Sequence, residues 1–237
     1  MRKLATILFA LALLAPVQPA RAADGNAVVV ELFTSQGCPA CPPAEAYLRE
    51  LAGRGDVIAL EYHIDYYDYA GWKDPFGDPD FTRRWRGYAR ALDARYEYTP
   101  FMVVSGGAHV VGSERAEVER RIRLKREQAE ARPRLTLKIT ESDAVVTIDG
   151  DGPVGIFDII IATYDGRHET MVTSGENRGK TLVNVNVVRG FQRVAQWAGD
   201  PITVKVPLSR MAGDGGCAVL LQRAGGGPIL AAASADF

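Results

Sequence analysis

Apolar residues fall into two contrasting rhythms along the chain. Up to about residue 132, short apolar runs alternate with stretches in which apolar positions recur every three or four residues. Beyond Pro133 the runs are short, alternating or continuous, and turn residues separate them. The first rhythm predicts strands alternating with helices, and the second predicts an all-β region. "AVVVELF" at 27–33 and "VIALEYH" at 57–63 are continuous and rich in β-branched residues, as buried strands are. Between them, "PPAEAYLRELAG" sets Ala44, Tyr47, Leu48 and Leu51 on one helical face and stops at Gly53. Pro42 and Pro43 lack an N–H and fit only the first turn of that helix, where such donors have no partner.

An aromatic loop, "IDYYDYAGWKDPFG", follows the second strand. A helix is then predicted from Asp78 as cap and Pro79 as first residue, with Phe81, Trp85, Tyr88, Ala89 and Leu92 as its packing stripe. "TPFMVVSGGAHVVG" reads as a hairpin turning at Ser105 to Gly107. Ser113 is positioned to cap a last helix, which ends at Pro133 and carries a densely charged, solvated face. After Pro133 come "LTLKIT", "AVVTID", "FDIIIATY", "ETMVTS", "LVNVNVVRG", "ITVKVPL", "CAVLLQR" and "PILAAASA". The turn signals "DGDGP", "YDGR" and "GDGG" divide them, and no fixed-period repeat is present. The expected organisation is an α/β domain at 24–132 followed by an all-β, sandwich-like domain at 133–237.

The start of the chain changes the picture of where the protein works. Arg2 and Lys3 precede the apolar run "LATILFALALLA", and "ARA" at 20–22 offers small residues for cleavage. This is the pattern of a signal peptide over residues 1–22, and it predicts a periplasmic or secreted protein with no stable membrane anchor after cleavage. Losing Arg2, Lys3 and Arg21 from the 28 basic residues leaves 25 against 29 acidic ones, a net charge of −4. That balance, with no basic patch interleaved with aromatics, argues against nucleic acid as a partner. The three cysteines are Cys38, Cys41 and Cys217, an odd count in a chain bound for oxidising surroundings.

The chemistry concentrates in "CPAC", residues 38–41. A CxxC opening a helix directly after a strand is the thioredoxin-like arrangement. A thiolate is the species that attacks a disulfide, and a helix start favours negative charge. Cys38, on the expected open side, is the candidate nucleophile. Cys41, about one turn on, is the candidate resolving thiol. Thr99-Pro100, ahead of "FMVV", stands where thioredoxin-like folds carry a cis-proline facing the CxxC, exposing the backbone of Thr99 to a substrate strand. A disulfide closing so short a loop stabilises little, so a purely structural role explains the motif poorly.

The chain resembles the DUF1223 family of secreted, thioredoxin-like bacterial proteins. "VVELFTSQGCPACPPAE", "YHIDYYDYAGWKDPF", "YTPFMVVSG", "SGENRGKTL" and "NVVRGF" carry the resemblance through nearly all of the mature chain. One departure is Tyr67, where the family pattern leads us to expect tryptophan. The resemblance implies the fold, and the family is named for lacking an assigned function.

Other residues complete the candidate site. Glu31, seven positions before Cys38 on the first strand, is a candidate buried acceptor for the Cys41 proton, as an acid is in thioredoxins. His63 and Asp65, with Trp72 in the aromatic loop, are candidates to line a groove beside the cysteines. Glu176, Asn177 and Arg178 in "SGENRGK" are candidates to cross from the β region and line the same cleft. Cys217 heads an apolar run and reads as a buried thiol. The expected activity is thiol–disulfide exchange on protein thiols and disulfides, a redox partner or small thiols, without a cofactor. The rival readings are a Cu(I) site built from Cys38, Cys41 and His63 or Met102, and a binding module whose cysteines stay oxidised.

Overall fold

The computed structural model describes residues 27–128 and 132–237; the expected signal peptide lies outside them. The first half runs β1 (Val28–Thr34), α1 (Pro42–Ala52), β2 (Val57–His63), α2 (Pro79–Ala91), β3 (Phe101–Val104), β4 (Ala108–Val111) and α3 (Arg115–Glu127). A short 3-10 helix, Asp65–Ala70, stands in the aromatic loop. The second half adds β5 (Arg134–Ile139), β6 (Asp143–Asp149), β7 (Phe157–Met171), β8 (Thr181–Trp197), β9 (Ile202–Pro207), β10 (Gly216–Arg223) and β11 (Ile229–Asp236). The protein is thus mostly strand, built on a large mixed sheet in the order β11-β10-β7-β8-β2-β1-β3-β4. A second sheet has the order β5-β6-β9.

Strand periodicity sorts the core into faces. Val28, Val30 and Leu32 of β1 meet Ala44, Leu48 and Leu51 of α1 and Val118 and Ile122 of α3. Val29 and Phe33 point the other way, to Phe81, Trp85 and Tyr88 of α2. That second face continues into Ile160, Ala162, Val188, Ala218 and Leu220, so one core joins both halves of the chain. The opposite side of β7 and β10, with Ile159, Ile161, Val219 and Leu221, is covered by Leu135, Val146 and Ile148 of the small sheet. Residue 132 marks a change in element type, while the sheet itself passes from β2 to β8 through the parallel pair Glu61 and Val187.

Three local expectations are corrected. "YDGR" is no turn: β7 runs through it, because Asp165 pairs with Val187 and Arg167 with Val185 along β8. "FDIIIATY" and the start of "ETMVTS" are therefore one strand. The cap position of α3 is Glu114 rather than Ser113, and no side chain caps it.

Candidate functional site

The cysteine loop leaves β1 and enters α1. Cys38 and Cys41 form a disulfide with Cα atoms 5.5 Å apart. Local hydrogen bonds shape the loop: Cys38 N–H donates to Ser35 O at 3.0 Å, and Cys41 N–H to Cys38 O at 3.3 Å. Cys41 is the N-cap of α1 and its carbonyl accepts from Ala44 and Glu45. Pro42 and Pro43 take the first helical positions, so the helix start offers few N–H groups to a sulfur anion. The hydroxyl of Thr99 does so instead, donating to Cys38 Sγ at 3.2 Å. Thr99-Pro100 is a cis peptide bond, and it lies beside the cysteine pair. One expectation is corrected: Cys38 is 1% exposed, nearly as buried as Cys41, and it is Pro39 and Ala40 between them that face solvent.

Behind the loop lies a cluster of buried polar side chains. Gln36 Nε2 donates to Asn184 Oδ1 at 3.0 Å, and Asn184 Nδ2 donates to Glu61 Oε1 at 2.8 Å. Glu61 sits 3.7 Å from His63 Nε2, an ion-pair distance. His63 Nδ1 bonds Asp74 Oδ2 at 2.8 Å, and that same oxygen accepts the Gln36 backbone N–H at 2.7 Å. The contacts close a ring that begins and ends at Gln36, two residues before Cys38. Burial opposes a charge on His63, but Asp74 and Glu61 outweigh it and hold the imidazole well above its usual pKa. Burial likewise opposes the Asp74 carboxylate, which His63 and the N–H groups of Gln36 and Phe76 keep below the usual range.

Glu45 is the acid nearest the cysteines along the chain. It lies four residues after Cys41, hence on the same face of α1. It is buried, and Thr34 Oγ1 donates to its Oε1 at 2.7 Å. Burial, then the neighbouring Glu61 carboxylate, push its pKa up to about 8, so it carries a proton at neutral pH.

Glu31 does not hold this place. It shares strand parity with Val29 and Phe33 and so faces α2, across the sheet from α1. There Arg84 Nε donates to it at 2.8 Å and Tyr88 Oη at 2.6 Å. Gln222 Nε2 donates to the same Tyr88 oxygen at 2.8 Å, tying β10 into the network. Asp65 also stands apart: its carboxylate accepts from Thr82 of α2, and Asp74 is the partner of His63. Trp72 does reach the loop, with Nε1 donating to Gln36 Oε1 at 3.2 Å.

The segment 174–180 crosses from the β7–β8 end. Asn177 is fully buried and its Nδ2 donates to both Gln36 O and Cys38 O, each at 2.9 Å. Lys180 Nζ donates to Asn177 Oδ1 at 2.9 Å, and Ser174 Oγ to Gly71 O at 2.6 Å. Glu176 and Arg178 point to solvent. The alternative metal set of Cys38, Cys41 and His63 is not assembled: among the described residues no group of three His, Cys, Asp or Glu is placed to hold a metal ion. His63 Nδ1 is instead bonded to Asp74, and its buried Nε2, 3.7 Å from Glu61, makes no hydrogen bond among the described residues. Cys217 is buried and unpaired, and burial, then Asp236, push its thiol up to about 12.

Sequence reasoning missed Glu45, Glu61, Asp74 and Gln36. A charged residue inside the continuous apolar run "VIALEYH", and an acid on the apolar face of the helix four residues past Cys41, were the available signals.

Residues 29–222 match a family model described as "Protein of unknown function (DUF1223)". Among solved structures, the chain is similar to protein AGR_C_4864 from Agrobacterium tumefaciens, at 37% identity and a TM-score of 0.76. That likeness covers 88% of this chain and 93% of the other. A second likeness is to HBP35 of Porphyromonas gingivalis, at a TM-score of 0.59 over 89% of this chain and 74% of that one. At 12% identity it is a likeness of fold alone. No curated protein matches the chain.

Proposed function

Since the chain belongs to the DUF1223 family, whose description gives no activity, we propose from its cysteine loop that it is an exported thiol–disulfide oxidoreductase. Its first half is thioredoxin-like and its second half is a sandwich-like attachment to the same sheet. The observation that carries the reading is the Cys38–Cys41 pair at the start of α1 with the Thr99 hydroxyl 3.2 Å from Cys38 Sγ. A hydrogen bond to a charged group is worth about 1.5–3 kcal/mol. Thr99 therefore favours Cys38 as the sulfur that carries the anion.

The exchange proceeds from the oxidised pair. A substrate thiolate attacks Cys38 Sγ, a substrate–Cys38 bond forms and the Cys38–Cys41 bond breaks. Cys41 leaves with the electron pair and takes the proton of Glu45. A second substrate thiolate then attacks the substrate sulfur of the mixed disulfide, and Cys38 leaves as a thiolate held by Thr99. The substrate dithiol has become a disulfide and the protein pair has gained its two electrons. The same steps in reverse reduce a substrate disulfide, with Glu45 accepting the proton of Cys41.

The test is to equilibrate the folded protein with dithiothreitol and then with a dithiol peptide, reading the thiols by mass. The expected result is a reducible pair, a trapped mixed disulfide on Cys38 in Cys41→Ser, and none in Cys38→Ser. A pair that stays oxidised in the folded protein would leave it a static crosslink and end this reading.

A further inference from the structure

Two aromatic runs lead away from Cys38. On one side Gly37 lies against Tyr67, where an added Cβ would meet Tyr67 Cβ at 3.1 Å. Tyr67 stacks on Tyr69 with ring centroids 6.3 Å apart, and Tyr69 is 78% exposed. On the other side Thr99 touches Cys38 and follows Tyr98, whose ring meets that of Tyr96 at 5.7 Å. Tyr96 is 70% exposed. Each run thus starts at the cysteine loop and ends on a tyrosine left in water.

A cavity of about 400 Å³ opens beside the second run, walled by Tyr96, Tyr98, His109 and Val111. Its walls are braced rather than loose. Tyr98 Oη and His109 Nδ1 are 2.8 Å apart, and both rings lie on the buried Phe101, at 4.9 and 5.0 Å. A preformed cavity of this size falls within the range of ligand pockets and has room for a large apolar side chain. Its floor is β4, the last strand of the eight-stranded sheet. Such an edge offers a row of backbone groups to an extended polypeptide, along which a small thiol is too short to pair. The charged lining is Asp93, Arg95 and Glu114, and burial, then Arg121, lower the pKa of His109 and favour its neutral form. The excess of carboxylates is unfavourable for a small thiol that itself carries carboxylates, such as glutathione.

We propose that this cavity is a side-chain subsite for a polypeptide substrate, taking an aromatic or large apolar side chain close in sequence to the reacting cysteine. The proposal rests on the exchange reading above and names its substrate class.

Two dithiol peptides test it, identical except for Phe or Gly two residues from one cysteine, with exchange rates measured on the oxidised protein. The Phe peptide is expected to react about tenfold faster, the scale of selectivity that a hydrophobic pocket supplies. Tyr96→Ala, at an exposed position, should bring the ratio of the two rates close to one. Equal rates in the natural protein, or a ratio that Tyr96→Ala leaves unchanged, would overturn the subsite while leaving the exchange activity standing. Exchange with neither peptide would overturn the activity and the subsite together.

Discussion

At the scale of single residues, two buried glutamates illustrate how position decides chemistry. Glu31 pairs with Arg84 and accepts from Tyr88, whereas Glu45, bonded by Thr34, keeps its proton. The unfolded chain releases the Glu45 proton near pH 4.5, and the folded protein holds it to about pH 8. Between those values the folded state binds the extra proton, so stability falls as pH rises. His63, raised above 6.5, adds a decline of the same sign from that pH upward. Asp74, whose pKa is lowered, contributes stability that is lost only as pH drops below about 3.8. Glu45→Gln should therefore flatten the stability profile between about pH 5 and 6.5 and partly above it, as denaturant titrations at stepped pH would reveal. The same change should slow exchange about a hundredfold, the lower range of general acid contributions. Glu31→Gln should cost about 3–5 kcal/mol by leaving Arg84 buried against a weakened partner. A slope that Glu45→Gln left unchanged would show that Glu45 is not the group holding the extra proton.

At the scale of elements, the strands and helices of the first half were legible because burial writes them plainly. "VIALEYH" corresponds to β2 residue for residue, and Asp78 caps α2 by accepting from Asp80 N–H at 2.7 Å. The face on which Glu31 lands was harder to read. Parity groups it with Val29 and Phe33, but only the packing of α1 against Val30 and Leu32 decides which face belongs to the cysteines. "YDGR" misled because pairing with β8 along its whole length overrides a local turn preference. The bond from Asn177 to Gln36 spans 141 positions, a separation at which one sequence carries no pairing signal. That segment makes a direct prediction. Asn177→Ala leaves the Gln36 carbonyl buried without that donor, costing about 1–3 kcal/mol, and leaves the Cys38 carbonyl with the Cys41 N–H alone. It also loosens the loop that holds the two sulfurs together, so the equilibrium with dithiothreitol should shift toward the reduced pair by about tenfold, roughly 30 mV. Loss of stability with an unmoved redox equilibrium would make Asn177 a packing residue only.

At the scale of the whole molecule, the two rhythms of the sequence meet in one sheet and one core. β2 would otherwise be the inner edge of a four-stranded sheet; β8 runs beside it, and Asn184 and the Val185 N–H both bond its Glu61. On the α2 face, Leu60 and Tyr62 share a core with Ile160, Val188 and Leu220. Arg84 and Tyr88 reach across to Gln222 on the same side. A fragment ending near residue 132 would expose this apolar surface and leave the Glu61 carboxylate buried without its donors, a loss larger than the margin by which most domains are stable. The ring of polar side chains behind the cysteine loop would open as well, because Asn184 is one of its members and Asn177 holds the loop. Calorimetry of the oxidised full chain should accordingly give one transition whose calorimetric and van't Hoff enthalpies agree, rather than one for each half. Two resolved transitions, with the cysteine pair keeping its redox equilibrium after the second half melts, would mean that the first half carries the site alone.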